Sequence, residues 1–260
     1  MKTFLGFVLA VMLVSSGGEA LAQISDINSA INKAGRQRML SQRMAKAYFQ
    51  IGQQIDLERS KKALDSSVAA FDRQLVELKN YAPTPEIKAT YLGLEKSWLA
   101  YKDVLLGAAP SPENGRKVLA LSEEVLQQAQ QGTVQYEKQS TSAAGHLVNL
   151  SGRQRMLSQR MAKFYQATAW GIADDKSAAN LDKARKDFTD AMKELSSSPA
   201  NTQQIKDGLG LVSQQWFFFE NALSQRGGAD KRPQLAVATT SERILEEMEG
   251  VVGLYEKLPK

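Results

Sequence analysis

The sequence predicts an all-α protein made of two tandem up-down four-helix bundles, set side by side as a pseudo-dimer. Three observations predict it. The string Gly-Arg-Gln-Arg-Met-Leu-Ser-Gln-Arg-Met-Ala-Lys occurs twice, as Gly35–Lys46 and Gly152–Lys163, which marks an internal duplication. Apolar residues recur at helical spacing, as in Leu64, Val68, Phe71, Leu75 and Leu78. Alternating strand patterns are missing. The repeat also runs past the string. Leu64, Phe71, Leu75 and Leu78 match Leu181, Phe188, Met192 and Leu195 at an offset of 117. Ile87 and Trp98 match Ile205 and Trp216 at 118, and Ser122, Glu123, Leu126 and Tyr136 match Ser241, Glu242, Leu245 and Tyr255 at 119. The one-residue insertions fall between blocks, where loops absorb them.

Residues 1–22 read as a signal peptide. Lys2 is its charged start, Phe4 to Val14 its apolar stretch, and Ala20-Leu21-Ala22 its cleavage site. That stretch is too short for a stable membrane span. The expected domains are then residues 23–139 and 140–260. In the first, Asp26 caps a helix that runs to about Gly52. The second helix covers roughly 58–81 and stops at Pro83-Thr84-Pro85. Thr84 with Pro85 opens the third, to about 106, and Ser111-Pro112 opens the fourth, to about 139. Ser140 to Gly145 is the hinge. The second set is expected at 146–171, 175–196, 201–224 and 231–256. Four antiparallel helices return the chain to one pole, so a short hinge sets the bundles side by side with their first helices parallel. The alternative is a rod, with the fourth helix continuing through the hinge; Ser140-Thr141-Ser142 and Gly145 favour a break.

Charge is concentrated in the first helix of each repeat. From Ile27 to Ile55 there are five cations and no acid, and from Gln139 to Ala173 four cations and no acid. With a total of +5, the rest of the chain carries −4. On a helical wheel, Ile31, Ala34, Arg38, Gln42, Ala45 and Phe49 share one line, and Leu40, Met44, Ala47 and Ile51 lie opposite. One apolar face should meet its own bundle. The other is narrow and has an arginine at its centre, Arg38 in one repeat and Arg155 in the other. A desolvated guanidinium needs a partner. That partner is either an acid from another helix or a bound anion, for which arginine's planar fork is suited. Arg36, Arg43 and Lys46, with Arg153, Arg160 and Lys163, are expected on solvated flanks. Met39 and Met44 are expected in the core. Trp98, Trp216 and the run Phe217-Phe218-Phe219 are expected to pack, and His146 to sit at the surface.

The segment Ile31-Asn32-Lys33-Ala34-Gly35-Arg36-Gln37-Arg38-Met39-Leu40-Ser41-Gln42-Arg43 resembles the signature of the type IV pilus methyl-accepting chemotaxis transducer N-terminal domain, the PilJ type. It is also similar to the sensor segment of NarX-type nitrate/nitrite kinases. The resemblance implies a periplasmic four-helix sensor domain. It further implies that the arginine before the methionine, from each of two first helices, holds nitrate or nitrite at a twofold axis. Those positions are Arg38 and Arg155. Gly35, Gly152, Ser41, Ser158, Arg43 and Arg160 belong to the same motif and complete the expected ligand-binding set. Both copies in one chain would make a fused version of the family dimer.

Composition narrows the function classes. Cysteine is absent and His146 is the only histidine, so thiol chemistry, disulfides and a zinc site are not expected. No phosphate loop or metal-ligand spacing appears, so neither an enzyme nor a cofactor is expected. Export argues against nucleic acid despite the basic pI of about 9.2. The expected function is an exported, sensor-like module that binds a small oxyanion, nitrate or nitrite first. The alternative is a periplasmic protein that docks onto a membrane chemoreceptor, sensor kinase or pilus component through its basic helix. The chain is expected to end at Lys260 with no signalling segment of its own.

Overall fold

The computed structural model describes residues 24–107, 109–225, 227 and 230–259. The expected signal peptide lies outside them. The described residues form eight α-helices and no strand: α1 (Ile27–Gln53), α2 (Leu57–Tyr81), α3 (Pro85–Gly107), α4 (Pro112–Glu137), α5 (Ala143–Ala169), α6 (Ser177–Ser197), α7 (Gln203–Ser224) and α8 (Arg232–Glu256). Asp26 caps α1 by accepting from the Ser29 N–H at 2.9 Å. Thr84, Ser111 and Thr202 do the same for α3, α4 and α7.

In the first set, α1 packs on α2 and α4, and α3 closes the ring against α2 and α4. In the second, α5 packs on α6 and α8, and α7 closes against α6 and α8. The most extensive contact between any two helices is α1 with α5, so the bundles lie side by side. The two helices run parallel: Arg38 meets Asn149 near their starts and Gln53 meets Gln166 near their ends. The rod alternative is thereby excluded. Both apolar faces of α1 are covered, with Met44 and Ala47 buried on one side and Ile31, Ala34, Arg38 and Gln42 on the other. Met39 and Met44 are buried, as expected.

Two glycines at expected helix boundaries mark close approaches. Helix α5 starts at Ala143, three residues earlier than expected, and contains Gly145. A Cβ there would stand 2.3 Å from Ser140 Oγ, so the tight hinge needs the glycine's missing side chain. Helix α1 ends within one residue of the expected Gly52. The helix runs to Gln53, and Gln54 takes the left-handed turn at φ 57°. A Cβ at Gly52 would stand 2.3 Å from Trp170 Cζ2. Trp170 follows α5, yet it seats on the first bundle against Gly52 and Gly115, with its ring 5.9 Å from that of Phe49. Gly52→Ala is therefore expected to displace Trp170 and cost about 1–3 kcal/mol. A lowered urea midpoint with red-shifted tryptophan emission checks this; an unchanged midpoint refutes it.

The aromatic run is a correction. Phe219 is fully buried and Trp216 stacks on Phe188 at 4.4 Å, but Phe217 and Phe218 are 62% and 55% exposed. Three successive helical residues span 200°, so the two facing the core at three-residue spacing, Trp216 and Phe219, leave the others to solvent.

Candidate functional site

The α1–α5 seam brings the two motif arginines together. Arg38 and Arg155 are both fully buried. A Cβ placed on Gly35 would lie 3.1 Å from Arg38 Nη2 and 3.6 Å from Arg155 Nη2. A Cβ on Gly152 would lie 3.2 Å from Arg155 Nη2 and 3.8 Å from Arg38 Nη2. Each glycine thus leaves the space into which both guanidiniums converge, which is why both repeats carry glycine three residues before the arginine.

Each arginine is held by the opposite bundle. Arg38 Nη2 donates to Asn149 Oδ1 at 2.8 Å and to the Asn149 carbonyl at 3.3 Å. Arg155 Nη2 donates to Asn32 Oδ1 and the Asn32 carbonyl at the same two distances. The amides are anchored in turn: Asn149 donates to Glu137 Oε2 at 2.5 Å and Asn32 to Glu256 Oε2 at 2.6 Å. The symmetry breaks at the remaining nitrogen. Arg155 Nη1 meets the Glu249 carboxylate at 2.8 Å, whereas Arg38 Nη1 meets the neutral Gln130 Oε1 at 2.6 Å. Among the described residues, no carboxylate pairs with Arg38. Both Nε–H groups are buried without a partner.

Burial pushes Arg38 down to about 10, helped by the nearby Arg153 charge. Burial, then Arg36 and Arg38, push Arg155 well down. At neutral pH Arg38 remains a cation, and two guanidiniums in one dry seam repel. The pair is therefore a buried electropositive point whose two Nε–H groups remain unpartnered.

The other expected site residues lie apart from this pair. The Ser41 and Ser158 hydroxyls donate to the carbonyls of Arg38 and Arg155 at 2.8 and 2.9 Å, fixing the backbone beneath the arginines. Arg43 and Arg160 belong to a second network. Arg43 grips Glu242 through Nε and Nη2, and Arg160 reaches Glu123 at 2.5 Å. Lys46 and Lys163 join the same carboxylates, at 2.5 and 2.6 Å. Their expected solvation is corrected: both lysines are buried, because α1 of one bundle lies against α8 of the other, and α5 against α4. Burial lowers the Lys163 ammonium to about 8, and Glu123 opposes that shift. Burial works against the Glu242 charge, but Lys46 and Arg43 outweigh it and hold the carboxyl at about 2. Arg36 is half-buried and ion-paired with Glu249. His146 is exposed, as expected; its ring nitrogens lie 2.9 Å from Glu194 and Glu137, which raise its pKa.

Sequence reasoning missed Asn32, Asn149, Gln130 and Glu249. The asparagines left a signal, since they match at the repeat's offset of 117 just outside the identical string. Gln130 and Glu249 match at 119 but differ in type, so no identity marked them.

A model of the type IV pili methyl-accepting chemotaxis transducer N-terminal family, PilJ, matches residues 20–139 and again residues 136–241. The chain belongs to the PilJ family. The family is one of sensory and signalling domains rather than catalysts. Each PilJ copy contributes one arginine to the seam, so the converged pair is a product of the tandem arrangement. Among curated proteins and among solved structures, none matches the chain. Among the described residues, no helix is long and apolar enough to cross a membrane, and no cluster of side chains has metal-ligand composition.

Proposed function

We propose that this tandem PilJ protein is an exported periplasmic sensor module that binds a small oxyanion, nitrate or nitrite first, between Arg38 and Arg155. The observation that carries the reading is the convergence of two fully buried guanidiniums on the space left by Gly35 and Gly152, with no carboxylate on Arg38 among the described residues. The resemblance to NarX-type sensors points to the same two positions. Ser41 and Ser158 act beneath the site by fixing the arginine backbones. Arg43 and Arg160 join the bundles beside it.

Thermal unfolding of the purified protein in nitrate, nitrite, sulfate and chloride at matched ionic strength tests this. A ligand at a hundredfold excess over its dissociation constant stabilises the folded state by about 2.7 kcal/mol. In a chain of this length that raises Tm by roughly 5–10 °C. The shift is expected with nitrate or nitrite and is lost in Arg38→Ala and in Arg155→Ala. No shift with any anion refutes the reading.

A second reading, docking to an envelope partner, is favoured by exposed apolar residues rather than by the basic helix. Arg43, Lys46, Arg160 and Lys163 are engaged inside the protein. By contrast, Leu92, Leu99 and Leu106 on α3, and Phe217 and Phe218 on α7, are more than half exposed. On this reading, capture by a membrane chemoreceptor is lost when Leu99 and Phe218 become serine, and is indifferent to nitrate.

A further inference from the structure

Two clefts flank the arginine pair and repeat one another. The first, of about 670 Å³, runs between α1 and α8 with α2 at its edge, and its lining includes Arg36, Met39, Arg43, Leu245 and Glu249. The second, of about 640 Å³, runs between α5 and α4 and is lined by Arg153, Met156, Arg160, Leu126 and Gln130. These residues correspond position by position under the duplication; the clefts differ at Glu246 against Gln127 and at Glu249 against Gln130, and of these two pairs only the second contacts a buried arginine. Glu249 and Gln130 each face their own cleft as well, so each stands between solvent and the seam. On the α8 side Glu249 bridges Arg155 and Arg36, and the ion pair closes that route. On the α4 side the Gln130 amide oxygen accepts one hydrogen bond from Arg38 and brings no countercharge, and Arg153 is drawn away to Asp187 at 2.7 Å.

We propose that Glu249 is a built-in counter-anion that makes the site one-sided. Building on the oxyanion reading above, the ligand enters past Gln130 and is received by Arg38, while Arg155 is already matched by Glu249. Of the two fully buried guanidiniums only Arg155 has a directly bonded carboxylate, so one buried positive charge is unmatched; Arg36, which shares Glu249, is about a third exposed and meets solvent, and Glu137 and Glu256 reach the pair only through asparagine amides. One unmatched charge selects a monovalent oxyanion and rejects a dianion such as sulfate, whose second charge would be desolvated without a partner.

The test exchanges the two side chains. E249Q and Q130E each place at one position the residue that already holds the equivalent arginine in the other repeat, so both variants have a precedent in the fold. Circular dichroism and the Tm in chloride check that they fold. Nitrate and sulfate binding are measured by calorimetry. E249Q is expected to raise sulfate affinity about tenfold or more, the effect of one charge-assisted hydrogen bond. Q130E is expected to lower nitrate affinity by a similar factor, and the double exchange to restore it through the opposite cleft. Nitrate and sulfate affinities unchanged in both single variants overturn the inference and leave the oxyanion reading standing. Sulfate binding by E249Q, where the unaltered protein binds no anion, supports Glu249 as the counter-anion and overturns the nitrate reading. No binding by any form overturns both.

Discussion

Glu123→Ala and Glu242→Ala should each destabilise the protein by about 3–5 kcal/mol, the cost of leaving a buried cation without its partner. Glu123 is the only carboxylate paired with Lys163 and Arg160 among the described residues, and Glu242 plays the same part for Lys46 and Arg43. Both lysines are buried within the interface, so water entering from the cleft beside each carboxylate only partly replaces the lost acid. Urea unfolding at neutral pH measures the effect, and a loss below about 1 kcal/mol, the worth of a surface pair, would refute the argument. The same residues predict an acid limb. Glu242 titrates near 2 in the folded protein and near about 4.3 in an unfolded chain. A carboxyl whose folded value is depressed contributes stability that is present above the unfolded value and is lost as pH falls through the folded one. Urea midpoints should therefore fall between about pH 5 and about pH 2, and the fall should be shallower in Glu242→Ala. Because the pairs cross between bundles, either substitution should also loosen the α1–α5 seam and weaken any anion stabilisation.

Trp98→Ala should cost about 3–5 kcal/mol, and Trp216→Ala only about 1–2 kcal/mol, although the repeat makes the two tryptophans equivalent. Trp98 is 1% exposed, stacks on Phe71 at 4.1 Å and donates its indole N–H to Asp72 at 2.7 Å. Trp216 stacks on Phe188 at 4.4 Å but is only partly buried, at the edge of an open groove with Met192 and Ser213. Removing Trp98 opens a cavity in a closed core, whereas the Trp216 site can admit water. Equal losses in urea unfolding would show that the two bundles are packed alike and refute the distinction.

Much of this architecture was legible in the chain. Helical spacing, capping residues such as Asp26 and Ser111, and the Pro83–Pro85 stop act over a few residues, so the helices could be placed to within a few positions. The wheel position of Arg38, opposite Met44 and Ala47, also announced an arginine inside a helix–helix contact. What could not be read was which side chain from a distant helix would meet it. Lys46 looks like a solvated flank because nothing within its own helix covers it; the cover comes from Ser241 and Glu242, nearly two hundred residues away in sequence. Gly145 looked like a break because glycine's effect on a helix is local, and nothing near Gly52 in sequence shows that its missing side chain makes room for Trp170.

The sequence by itself determined the helical class, the duplication and the two arginines that face a second helix, because period, capping and charge distribution are properties of short stretches of chain. Only the tertiary structure decided between the side-by-side and rod arrangements, and showed that Lys46 and Lys163 are buried in reciprocal pairs and that Arg155 has a carboxylate where Arg38 has an amide. Those outcomes depend on which surfaces meet across the seam, where desolvation raises the cost of an unmatched charge and where Glu249 on Arg155 against Gln130 on Arg38 breaks the symmetry of the arginine pair.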